Sequence, residues 1–238
     1  MTTQRLSQWM LCAAIVVCLA ASAQDARHES NSGEVHLHLV ASQPGKHRVV
    51  PVVVWLQPEA GTPSLPFPAH GHYTLLQKNR MFTPHLQVIP VGSVVQFPNA
   101  DPFFHNVFSL FDGRRFDLGL YEAGSSRSVT FSREGVSYIF CNIHPEMSAV
   151  VLALSTPLYA VEYVDAAFVI HDVPPGDYKL NFWVEGAPQP ALDGLARHVH
   201  VPSHAVDLGD VSVPVGKSFL DHANKFGDTY DRQPKTTY

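Results

Sequence analysis

Along this 238-residue chain, apolar and polar positions alternate with a period of two in many short stretches, the pattern of strands buried on one face. Val35-His36-Leu37-His38-Leu39 and Arg197-His198-Val199-His200-Val201 show it most clearly, and in both the alternation puts the histidines on a wet face. Strands are expected at 34–40, 48–56, 73–78, 85–90, 93–99, 106–110, 115–118, 127–132, 136–141 and 147–154, with turn signals such as Asp112-Gly113 and Glu134-Gly135 between them. After Ser155-Thr156-Pro157 the pattern restarts. Residues 167–183 read as strand, tight Pro174-Pro175-Gly176 turn and strand, a hairpin-like unit whose Pro-Gly pair favours a type II turn. From Pro214 the chain turns polar, with a short helix expected at 217–226 and a disordered end at 227–238. Nineteen prolines and fifteen glycines punctuate the runs of Val, Phe and Tyr, which makes the fold class all-β.

Composition narrows the function. With 45% hydrophobic residues the chain can build a real core, and a net charge of −5 without clustered Lys and Arg excludes a nucleic-acid partner. Arg5, the apolar run Trp9 to Ala21 and the small-x-small triplet Ala21-Ser22-Ala23 form a signal peptide, 1–23. That run is shorter than the roughly 20 residues that cross a bilayer, so no membrane span is expected after cleavage and the mature chain is periplasmic or secreted. Cys12 and Cys18 leave with the signal peptide, and Cys141 remains alone. A lone thiol in an oxidising compartment is exposed to intermolecular disulfides and over-oxidation, from which metal ligation protects it.

The residues around Cys141 supply the other ligands. Cys141-Asn142-Ile143-His144-Pro145-Glu146-Met147 holds a thiolate, an imidazole and a thioether within seven residues. Thiolate and thioether suit copper(I), imidazole suits copper in both oxidation states, and two histidines, a cysteine and a weak axial methionine make an electron-transfer site. The second histidine has to come from another strand, and the best candidate is His105, at the end of the Asn99 to Asn106 segment that follows the strand-like run Val91 to Phe97, 36 residues before the cysteine.

Residues 48–155 resemble a plastocyanin-type cupredoxin. The resemblance lies in the Gly92 to Phe97 strand, the Asn99 to Asn106 loop with its His-Asn-Val ending, and the C-x2-H-x2-M loop, whose short spacing is most similar to amicyanin. It implies a Greek-key sandwich with one type 1 copper, His105, Cys141 and His144 as equatorial ligands, Met147 as axial ligand, Asn106 steadying the ligand loops by hydrogen bonding, and Pro145 stiffening the loop. Phe103, Phe104, Ile143 and Pro145 would keep water from the site and offer a redox protein partner a place to dock. The Ala167 to Trp183 segment is similar to the carboxypeptidase regulatory-like, transthyretin-like module. The expected organisation is therefore a signal peptide, a cupredoxin domain at 34–155, a smaller β-sandwich at 157–214 and a polar tail at 215–238.

Two function classes follow: an exported blue-copper electron carrier, or a copper-binding protein that delivers, stores or senses the metal. Neither is an enzyme. The H-x-H pairs His36/His38, His70/His72 and His198/His200 suggest multicopper oxidases, but those enzymes flank their type 1 cysteine with histidines, whereas Cys141 lies between Phe140 and Asn142. Of the three pairs, His70/His72 is the least constrained by strand alternation and is a candidate for loose metal binding.

Overall fold

The computed structural model describes residues 32–43, 49–69, 72–110, 113–215 and 224–228. The expected signal peptide, His70, Asp112, residues 217–223 of the expected helix and residues 229–238 of the expected disordered end lie outside them; residues 225–226 form a turn. The β structure begins with β1 (Gly33–Ala41) and β2 (Pro51–Pro58). It continues through β3 (His72–Thr74), β4 (Leu76–Lys78), β5 (Met81–Thr83), β6 (Leu86–Pro90), β7 (Val94–Pro98) and β8 (His105–Ser109). Next come β9 (Phe116–Tyr121), β10 (Ser126–Thr130), β11 (Gly135–Cys141), β12 (Ser148–Leu154), β13 (Tyr159–Tyr163) and β14 (Ala167–Val173). The last are β15 (Gly176–Val184), the short helix α1 (Gln189–Leu195), β16 (Arg197–Val201) and β17 (Val206–Val213). The fold is all-β, as the period-two pattern requires.

The strands build two sandwiches. In the first, the sheet β6-β12-β11-β8-β9 packs on β10-β7-β3, with the hairpin β4-β5 beside them, around Val95, Phe97, Val107, Ile139 and Val151. Cys141 and Met147 belong to this core. In the second, β14-β1-β17 packs on β13-β2-β15-β16 around Leu37, Leu56, Phe168, Tyr178 and Leu180. The expected boundary at residue 155 differs here from the sheets: β1 and β2 fall on its N-terminal side, yet they pair with strands that come after it. The first sandwich is thus an insertion into the second. Alternation along 34–40 reports one buried face and says nothing about which strand lies alongside.

Strand β12 joins the two cores. Ala149, Val151 and Ala153 face the first, while Val150, Leu152 and Leu154 meet Val53 of β2 and Trp183 of β15. A strand covered on both faces reads as a continuous apolar run, as Ala149 to Leu154 does. On the outer faces the alternating histidines each hold a carboxylate: His36 bonds Glu34 at 2.8 Å, His38 bonds Asp210 at 3.1 Å, His200 bonds Asp177 at 2.8 Å, and His198 bonds Glu59.

The Pro174-Pro175-Gly176 turn departs from expectation. Its strands β14 and β15 lie in opposite sheets of the second sandwich, so the turn is an arch rather than a hairpin. Gly176 is also absent from the residues with positive φ, which a type II turn needs at that position. Space explains this glycine. A Cβ there would lie 2.5 Å from Thr62 Cγ2, and the Thr62 hydroxyl is pinned, donating to the Asp177 carbonyl (3.0 Å) and accepting its N–H (2.8 Å). Gly176→Ala is expected to cost about 1–3 kcal/mol, the usual range for overpacking, seen as a lower denaturation midpoint at unchanged slope. A wild-type midpoint would contradict the assignment.

Candidate metal centre

Strand pairing brings the distant ligands together. Cys141 ends β11 opposite Val107 of β8, two residues beyond His105, which starts that strand. The loop before His105 is shaped by Asn99, whose side-chain oxygen accepts the Asp101 N–H (3.0 Å) and whose amide donates to the Phe103 carbonyl (2.8 Å). After Cys141, a turn brings back His144: the Met147 N–H donates to the His144 carbonyl (3.0 Å) and the Cys141 N–H to the Met147 carbonyl (3.3 Å). Pro145 takes the second position of that turn, where its fixed φ fits.

Three donor atoms converge. Cys141 Sγ lies 3.7 Å from His105 Nδ1 and 3.6 Å from His144 Nδ1, and the two nitrogens are 3.1 Å apart. The centre of such a triangle is about 2 Å from each corner, against first-row metal bonds of about 2.0–2.1 Å to imidazole and 2.3 Å to thiolate. His105, Cys141 and His144 are also the one set of metal-capable side chains, counting His, Cys, Asp and Glu, whose ligand atoms cluster this closely among the described residues. Met147 is fully buried in the same core and is tied to the turn through its backbone.

Asp101 decides which nitrogen of His105 faces the site. His105 Nε2–H donates to Asp101 Oδ2 at 2.9 Å, both side chains being buried, which leaves Nδ1 with its lone pair toward Cys141 and His144. The same carboxylate accepts the N–H groups of Asn79 (2.6 Å) and Arg80 (3.0 Å). Those two residues form the β4–β5 turn with φ of 56° and 54°, the paired positive values of a type I′ hairpin. Burial alone would raise the Asp101 carboxyl, but these three donors outweigh it and hold it below the ordinary range. The local signal for Asp101 is an acid four residues before the histidine, a spacing with no meaning until the loop is folded.

The rings pack closely. Phe103 lies against both imidazoles, with centroids 5.3 Å from His105 and 5.4 Å from His144, and the Arg80 guanidinium covers Phe103 at 5.3 Å. Two unprotonated nitrogens 3.1 Å apart repel unless a proton or a cation sits between them. The sulfur is fully buried, and backbone N–H groups of Asn106, Ile143 and His144 point at it. Asn106 does not bridge the ligand loops with its side chain: its amide donates to Asp117 Oδ1 at 2.7 Å. Phe104 and Ile143 are exposed beside the ligands in sequence, while Phe103 is half-buried.

Burial pushes the Cys141 thiol above its ordinary value despite the three N–H groups. Burial first, and the nearby His105 second, hold His144 below its ordinary value. At neutral pH the metal-free site therefore carries a protonated sulfur and a neutral His144. Metal binding should release close to one proton, from sulfur, and affinity should rise about tenfold per pH unit below the thiol pKa. Calorimetry in buffers of different ionisation enthalpy measures the count, and zero protons released would contradict this state.

No known family model and no curated protein matches the chain. Among solved structures, a copper-containing nitrite reductase from Thermus scotoductus SA-01 is 25% identical over 41% of this chain and 25% of its own, at a TM-score of 0.34. A purple cupredoxin from Nitrosopumilus maritimus is 24% identical over 36% of this chain and 100% of its own, at 0.32. A Cu(I) amicyanin variant is 18% identical over 35% of this chain and 83% of its own, at 0.34. The chain thus spans a quarter of the nitrite reductase. Among the described residues, no helix is long and apolar enough to cross a membrane.

Proposed function

We propose that this chain is an exported cupredoxin that holds one copper ion on His105, Cys141, His144 and Met147 and passes single electrons. The observation that carries the reading is the triangle of a thiol and two imidazole nitrogens with edges of 3.1 to 3.7 Å, because its centre suits a first-row metal and its donor set suits copper. When bound, copper supplies a one-electron couple between Cu(I) and Cu(II). The chain's own part is to keep the donors nearly fixed in both states. Asp101 locks the His105 ring, two backbone hydrogen bonds close the 141–147 turn, and Phe103 wedges against both imidazoles. A rigid, mostly buried site favours electron exchange over delivery, since a delivery protein has to open its ligands to an acceptor. The exposed side chains of Phe104 and Ile143 suit an apolar contact with a redox partner.

Voltammetry of the copper-loaded protein separates the classes. The carrier reading predicts a reversible one-electron wave with fast exchange at the electrode. A copper adduct that shows no reversible wave would contradict it and leave storage, delivery or sensing. Export rests on the basic, apolar and small-x-small pattern of residues 1–23, and the second sandwich is read as a scaffold resembling the carboxypeptidase regulatory-like module.

A further inference from the structure

The turn at residues 224–228 reaches back onto the metal centre. Asn224 shapes it: its side-chain oxygen accepts the N–H groups of Phe226 (2.9 Å) and Asp228 (3.0 Å), its own N–H donates to the Asp228 carbonyl (2.8 Å), and Gly227 N–H donates to its carbonyl (2.9 Å). The turn thereby presents Lys225 with its backbone directed at the loop after Cys141 and its side chain at β9. Lys225 N–H donates to Asn142 Oδ1 at 2.9 Å, and Asn142 is the residue after Cys141. Lys225 Nζ donates to Asp117 Oδ2 at 2.7 Å, on β9.

Asp117 passes this hold inward. Its other oxygen accepts the Asn106 amide (2.7 Å) and the Gly119 N–H (2.9 Å). The Asn106 side chain is buried and its Oδ1 has no partner among the described residues, so Asp117 is the group that orients it. Asn106 follows His105, and its backbone N–H points at the Cys141 sulfur. Lys225 therefore ties Asp117 of β9, and through it Asn106 beside His105, to the loop that follows Cys141, its two partners lying 108 and 83 positions away.

We infer that the 224–228 turn is a strap that tunes the metal centre, with Lys225 as its positioning residue; this rests on the copper reading above. The ion pair it forms is partly exposed, with side chains 24% and 39% accessible, and pairs of that kind add little to folding. Its effect is expected at the sulfur instead. Hydrogen bonds to a ligating thiolate withdraw electron density and favour Cu(I), so loosening the Asn106 N–H favours Cu(II). An Asp117 carboxylate stripped of its cation favours the more highly charged Cu(II) as well. Both effects lower the reduction potential.

The test compares wild type, Lys225→Met and Lys225→Arg in the full chain. Lys225→Met is expected to fold, bind copper and keep its colour, with a potential shifted below wild type; Lys225→Arg, which keeps the charge and the backbone donor, is expected to restore it. In the metal-free protein, the Asn106 amide should exchange its hydrogen severalfold faster in Lys225→Met than in wild type. A wild-type potential together with wild-type exchange in Lys225→Met overturns the strap. If wild type itself shows no thiolate-to-copper band, the copper reading fails, and the exchange rates of the metal-free proteins still decide whether Lys225 holds Asn106.

Discussion

Cys141→Ser is expected to remove the thiolate-to-copper absorption completely and to weaken copper binding by more than the roughly 10–100-fold that loss of an outer-sphere partner costs. A serine hydroxyl ionises far above neutral pH and is a hard donor, so at this position it offers copper little beyond a neutral oxygen. The fold should survive. The site sits at the end of β11 beside three backbone N–H groups, which a hydroxyl oxygen can accept, so the change should cost no more than about 1–2 kcal/mol. Visible absorption, copper stoichiometry and a denaturation curve on one sample separate ligand loss from unfolding. A wild-type spectrum in this variant would refute Cys141 as a ligand.

Asp101→Ala should strike stability and metal binding together. Its carboxylate satisfies one fully buried donor, His105 Nε2–H, and the two N–H groups of a hairpin turn whose residues both have positive φ. Asn tolerates that conformation well; Arg80 does so at some strain, which the two bonds offset. Removing all three acceptor contacts at a buried site is expected to cost about 3 kcal/mol, the unpartnered imidazole N–H contributing most. Copper affinity should fall roughly 10–100-fold because the His105 ring loses the partner that sets its tautomer and direction. The pH response gives a further check. A carboxyl held below its ordinary range contributes stability that is full above the unfolded-state value and is lost as pH falls through the lower folded value. Wild type should therefore lose stability more steeply than Asp101→Ala in acid, and parallel curves would contradict the assigned role.

Local chemistry was the legible part of this chain. Cys141, His144 and Met147 lie within one turn, so their spacing alone proposed a site, and the wet-facing histidines of β1 and β16 followed from alternation. His105 needed a second motif, because only the β8–β11 pairing carries it across 36 residues. Contacts made by tertiary packing left no local trace. Asp101, the clip on His105, lies in the Asn99 to Asn106 loop with no local sign of its role, and Lys225 lies in a polar stretch where a short helix is expected and a turn is found. The partners of β1 and β2 were hidden for the same reason, since nothing in Val35 to Leu39 specifies Phe168 and Ile170 as neighbours. The three-residue strand β5, Met81–Thr83, is too short to show a period at all.

The most direct measurement is the visible spectrum of the full chain titrated with copper(II). The donor triangle predicts an intense blue colour, a thiolate charge-transfer band near the red end of the spectrum that saturates at one copper per chain. A colourless or faintly coloured adduct at one equivalent would contradict the His105, Cys141, His144 site.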